Sequence, residues 1–167
     1  MREQVLRDFF EGKSSAAELG RDVAGSTKRN GPKASVVSIE DMDKDFVVTA
    51  DMAARLCDAV LHGELLPDAL HTIGFALEAS DRFQWDGDDD VLANVIADWS
   101  CPEVNYPLTF ENVQRFHAWL MGTEPYPAKP PLTGDGRNLI SVTEKKSMRP
   151  LWKRITRLQG SRRSKRG

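Results

Sequence analysis

The chain has 167 residues, enough for one domain with a proper core and short for two. Its 40% hydrophobic and 29% charged residues are ordinary for a globular protein, and no run of about 18 apolar residues is present to span a membrane. The net charge of −2 conceals a segregation: residues 40–100 hold 15 acidic and 3 basic side chains, net −12, whereas 129–167 hold 12 basic and 2 acidic, net +10. That split bears on partners and solubility rather than on fold.

The opening residues MREQVLRDFFEGK carry charges at every turn and no apolar stretch, unlike a secretory signal, so a cytoplasmic protein is expected. Val5, Leu6, Phe9 and Phe10 fall on one stripe at helical spacing, and Gly12 is placed to stop that helix. Ser15 to Glu18 reads as a capping box for a second short helix, AAELGRDVAG. Residues 25–35, rich in Gly, Ser, Asn and Pro, read as a loop. The β-branched runs Ser35–Ile39 and Phe46–Thr49 flank an acidic turn and predict a small β-hairpin near 35–48, with extended segments lying on a helical core as the alternative.

Thr49 is a good N-cap for a helix over 50–62 that carries Met52, Leu56 and Val60 on one stripe, with Gly63 beyond its end. Pro67 stands where the first position of the next helix belongs, and Leu66, Leu70, Ile73 and Leu77 form the expected buried face of 67–80. Gly74, inside that helix, predicts the close approach of a neighbouring helix. After Asp86–Asp90, the pattern Val91, Val95, Trp99 with Leu92 and Ile96 alongside predicts a core helix. Pro102 and Pro107 bound a turn, and Thr109 caps a last helix lined by Phe110, Val113, Phe116 or His117, and Leu120. The Pro/Gly-rich stretch 127–148 reads as a linker or extended wrap after a helical domain over 1–126. Residues 149–167 form a basic tail, with a short amphipathic helix predicted over 149–158 and disorder beyond it. The fold class is therefore mainly α: five or six helices around Leu6, Phe9, Leu56, Val60, Leu70, Ile73, Leu77, Val95, Trp99, Val113, Phe116 and Leu120.

Few residues declare a chemistry. Asp86, Asp88 and Asp90 have the first three ligand spacings of an EF-hand loop, but Val91 stands at its glycine position and Ala97 at its glutamate position. No metal site and no cofactor are assigned on that basis. Carboxylates at a helix N-terminus interact favourably with the macrodipole, yet four aspartates exceed what one helix end needs. The surplus points to an electrostatic partner, with Asp81, Asp86, Asp88, Asp89, Asp90 and Asp98 as the candidate partner-binding residues. His62, His71 and His117 lack zinc-ligand spacing, and Cys57 and Cys101 read as small buried thiols in a reducing compartment. No Gly-x-Ser-x-Gly, phosphate loop, dinucleotide fingerprint or His-Glu-x-x-His occurs, so nothing proposes an enzyme. A hydrolase would need a pocket in which His71 or His117 meets carboxylates. The tail, with Trp152 among Lys153, Arg154 and Arg157 and followed by Arg162 and Arg163, has the composition of a nucleic-acid or membrane-surface segment. It is equally suited to the chain's own acidic middle, or to acting only as a solubilising tail.

The segments LRDFFEGKSSAAELG, FALEASDRFQWD, ADWSCPEVNYPLTFENVQRFHAWL and GTEPYP resemble small bacterial helical proteins of the colicin-immunity-like type, whose members include the immunity protein of the tRNase colicin D. The resemblance spans residues 1–126 and rests on packing and turn motifs. It implies a compact helical bundle without a cofactor that binds a cognate toxin and covers its basic, RNA-binding active site with an acidic surface. The basic tail is a departure from that pattern, and no individual toxin-contact residue is carried over.

Overall fold

The computed structural model describes residues 1–29 and 35–127, and residues 1–127 form one compact unit. The Pro/Gly-rich stretch and the basic tail, including the amphipathic helix expected over 149–158, lie outside the described residues. Among those described, the fold is mainly α, with six helices and only short strands. None of these helices is long and apolar enough to cross a membrane.

The first two helices, α1 (Glu3–Phe10) and α2 (Ala16–Ser26), form the expected hairpin. Gly12 closes α1 at φ +74°, where a Cβ would be strained. The capping box forms reciprocally: the Ser15 N–H donates to Glu18 Oε2 at 2.8 Å and the Glu18 N–H to Ser15 Oγ at 3.2 Å. The last carbonyls of α1 have an additional partner that no local pattern announces. Arg55 donates to the carbonyls of Phe10 (2.9 Å) and Phe9 (3.2 Å), placing a cation at the negative end of the helix.

The expected hairpin between Ser35–Ile39 and Phe46–Thr49 does not form. β2 (Ser35–Val37) instead pairs antiparallel with β1 (Thr27–Arg29), inside the stretch read as loop. β3 (Phe46–Val47) pairs parallel with β4 (Phe83–Gln84), a partner 37 residues away in register. A parallel pair needs a long crossover, supplied here by α3 (Ala50–Leu61) and α4 (Ala69–Ala79). Aromatic packing selects this partner: the rings of Phe10, Phe46 and Phe83 meet with centroids 6.1–6.4 Å apart, and Phe83 is buried.

α3 starts at its Thr49 cap, which accepts the Met52 N–H. α4 starts at Ala69, two residues later than Pro67 suggested, after a tight turn in which the Ala69 N–H donates to the Leu66 carbonyl at 3.0 Å. Leu66 therefore precedes the helix and is 77% exposed, while Leu65 is buried in its place. α5 (Asp90–Ser100) and α6 (Phe110–Leu120) complete the bundle, capped by Asp89 and Thr109. The most extensive contacts join α4 to α5 and α3 to α6. All twelve residues expected in the core are buried, with Trp99 and Phe116 fully so. Phe110, expected on the lining face of α6, is exposed because it occupies the first turn, beyond the reach of α3 and α5. Cys57 is buried, whereas Cys101 is exposed because it follows α5 into the proline-bounded turn.

Gly74 permits the α4–α5 contact. A Cβ there would stand 2.7 Å from Trp99 Cβ and 2.9 Å from the Ser100 backbone nitrogen. Helix propensity alone would make Gly74→Ala stabilising by about 1 kcal/mol. The overpacking it forces costs about 1–3 kcal/mol. Urea unfolding of the Gly74→Ala protein is expected to show a net loss of stability; a gain would mean that the two helices do not approach this closely.

Candidate functional site

The parallel β3–β4 pair joins two segments that are far apart in the chain and that both carry acidic residues. Residues 40–45 (EDMDKD) lead into β3, and residues 81–90 (DRFQWDGDDD) surround β4. Between them they carry nine carboxylates and two basic side chains. The pairing is made by the Phe46 N–H donating to the Arg82 carbonyl at 2.9 Å and the Val48 N–H donating to the Gln84 carbonyl at 2.7 Å. Side chains tie the junction: Asp45 accepts from Arg82 Nη1 at 3.2 Å and from Gln84 Nε2 at 3.4 Å. This ion pair is solvent-exposed and contributes little to stability, about 0–1 kcal/mol. It joins Asp45, at the end of the first segment, to the residues of β4 and the one before it.

On the other strand of the junction the loop 86–90 has its own geometry. Asp86 Oδ1 accepts the Asp88 N–H at 3.0 Å, an Asx-type turn, and Asp89 Oδ1 accepts the Leu92 N–H at 2.9 Å as the cap of α5. Asp86 and Asp89 thus have local structural roles. Asp81, Asp86, Asp88 and Asp90 are exposed, and Asp89 is half-buried. Five of the six candidate partner-binding residues therefore lie in the 81–90 segment that contains β4. From these exposed carboxylates the site can present concentrated negative charge to a cation; no group of three or more metal-capable side chains assembles among the described residues.

Asp98 is the exception and corrects the acidic-face reading. It is fully buried, and Tyr126 Oη donates to its Oδ2 at 2.7 Å. Asp98 lies three residues after Val95 and one before Trp99, so the helical phase already placed it toward the core. Its partner could not be read, because Tyr126 comes from the segment after α6. Tyr126 is held there by its ring, whose centroid lies 5.0 Å from that of Trp119. Trp119 in turn meets Tyr106 and Phe116.

His117 Nε2 lies 3.2 Å from Asp58 Oδ1, linking α6 to α3 at the surface. His71 lines an open groove that also includes Asp68 and Glu103. The basic residues Lys153, Arg154, Arg157, Arg162 and Arg163 lie outside the described residues.

Burial, followed by the hydrogen bond to the Asp98 carboxylate, pushes the Tyr126 hydroxyl well above the usual phenol range. A group whose folded-state pKa is raised gives stability that is complete below its unfolded pKa, about 10, and is lost as pH rises above that. Tyr126→Phe is expected to cost about 1–3 kcal/mol at neutral pH by removing the donor to a buried carboxylate. It should also flatten the fall in stability above about pH 10. Chemical denaturation at pH 7 and at alkaline pH tests both effects, and an unchanged midpoint at pH 7 would refute the role of this bond.

Comparison with protein-family models, with curated proteins and with solved structures finds no match to this chain.

Proposed function

We propose that this protein is a non-enzymatic binding protein of immunity or antitoxin type, acting in the bacterial cytoplasm, that blocks a basic partner with its acidic surface. A nuclease toxin is the partner class that fits, since its active site is built to receive phosphates. One observation carries the reading: five carboxylates fall within residues 81–90 around β4, and Asp81, Asp86, Asp88 and Asp90 are exposed. The charge density that results exceeds what capping α5 requires. The resemblance of residues 1–126 to colicin-immunity-like proteins points the same way. The mechanism is occlusion assisted by steering: the carboxylates of Asp81, Asp86, Asp88, Asp89 and Asp90 occupy the place of substrate phosphates, and their field accelerates encounter.

A second reading, as a regulatory or nucleic-acid-associated protein, draws on the 12 basic residues of 129–167. The two make opposite demands on the full-length chain. On the first, changing Asp86, Asp88 and Asp90 together to Asn slows association with a cationic ribonuclease toxin by about tenfold at low salt, with the difference shrinking as salt screens it. Stopped-flow association across a salt series measures this, and tRNA cleavage assays report protection. On the second, changing Lys153, Arg154, Arg157, Arg162 and Arg163 to Ala abolishes an RNA or DNA gel shift. Equal toxin association by the Asn variant and the parent chain would eliminate the acidic-surface reading.

A further inference from the structure

The described residues also form a concavity away from the acidic loop. It is a groove of about 790 Å³ between α2, the turn before α4, the first turn of α4 and the proline-bounded loop 102–108. Its floor is apolar: Val23 and Ala24 of α2, Leu65, Ala69 and Leu108 line it, and Gly20 allows Leu65 to sit close against α2, since a Cβ there would meet Leu65 Cδ2 at 3.1 Å. Leu66 stands on its edge with 77% of its surface exposed. The volume is that of a site taking several apolar side chains.

The rim is charged, and mostly of one sign. Glu64, Asp68 and Glu103 surround the floor, against the single guanidinium of Arg21. All three carboxylates are exposed, and Asp68, at the start of α4, makes no side-chain cap bond. Such a rim repels an anionic amphiphile such as a fatty acid. It also disfavours a second copy of this chain, because a two-fold contact would bring the same carboxylates into the same interface. No strand lines the groove, so an extended segment could not add to a sheet edge there. The remaining match is an amphipathic helix that inserts apolar side chains at i, i+3, i+4 and i+7 and carries Lys or Arg along its flanks.

We propose that this groove is a docking site for an amphipathic, cationic helical segment of a partner protein. It shares no residue with the 81–90 loop, so it stands apart from the function proposed above and can fail or hold independently. The segment's apolar side chains cover Leu65, Leu66 and Leu108, while its flanking cations pair with Glu64, Asp68 and Glu103. The pairs set orientation and selectivity, and the apolar contact supplies most of the affinity.

Two synthetic peptides of about five helical turns test this on the full-length protein. Both carry Leu on one face; one carries Lys and the other Glu on the opposite face. Binding is followed by fluorescence anisotropy and mapped by amide chemical shifts. The Lys peptide is expected to bind at least tenfold more tightly than the Glu peptide, with shifts centred on residues 20–24, 64–72 and 102–108. Leu66→Ser should weaken it at least fivefold. Combining Glu64→Lys, Asp68→Lys and Glu103→Lys should reverse the preference, with circular dichroism reporting that the variants fold. The Asp86, Asp88 and Asp90 to Asn variant should bind the Lys peptide as the parent does. Loss of binding in that variant would place the peptide on the acidic loop and overturn the proposal. So would equal affinity for the two peptides, no binding of the Lys peptide at millimolar concentration, or displacement of it by dodecanoate. Self-association in sedimentation that Leu66→Ser removes would assign the groove to a second copy instead.

Discussion

The closeness of α4 to α5 at Gly74 is the constraint on which the rest of this bundle depends. With no side chain at 74, Trp99 Cβ and the Trp99–Ser100 backbone lie against α4, and the Trp99 indole meets Phe116 edge-on with centroids 6.2 Å apart. Phe116 belongs to α6, and α6 packs along α3. A single glycine thus sets the spacing of one helix pair and, through one fully buried tryptophan, the position of the next. The same aromatic layer continues through Trp119 to Tyr106 and Tyr126. It holds the proline-bounded turn and the segment after α6 against the bundle, and so brings the Tyr126 hydroxyl to the buried Asp98 carboxylate.

A second aromatic cluster, at the other side of the chain's path, does for charge what the first does for packing. Phe10, Phe46 and Phe83 bury surface on one another, and the two strands that carry Phe46 and Phe83 are pulled into register. The register sets Asp45 beside Arg82 and Gln84 and leaves Asp86 to Asp90 beyond the C-terminal end of β4. Apolar burial under the strands, at about 25 cal/mol per Å², anchors both. The apolar groove beside α2 is built differently: its floor favours burial and its carboxylates stand only on the rim.

How much of this was written in the chain differs by range. Helix number, helix caps and the core residues were readable because they follow from spacings of three and four and from bonds within one turn: Ser15 with Glu18, Thr49 with Met52, Thr109 with Asn112. Gly74 was readable as a close approach for the same reason: a glycine inside a strong apolar stripe weakens its own helix, and a neighbour packed against the missing side chain offsets that loss. The errors at Leu66 and Asp98 involve a choice between neighbours or a distant partner. Whether Leu65 or Leu66 turned inward depended on where α4 began and on the space that Gly20 leaves beside α2. Asp98 counted as surface charge until Tyr126, 28 residues later, supplied its hydrogen bond.

The sequence by itself thus determined a mainly helical domain, its core and an acidic middle of net charge −12 over residues 40–100. Local hydrogen bonding and hydrophobic periodicity are enough for that, because each acts within a few residues. Only the tertiary structure decided which strands pair. Ser35–Val37 turned back to Thr27–Arg29. Phe46–Val47 crossed to Phe83–Gln84, because that pairing packs Phe46 and Phe83 against Phe10 once the chain has closed a long loop. It also decided that Asp98 is buried against Tyr126 while Asp81, Asp86, Asp88 and Asp90 stay exposed, because burial depends on which distant residues pack over a helix face.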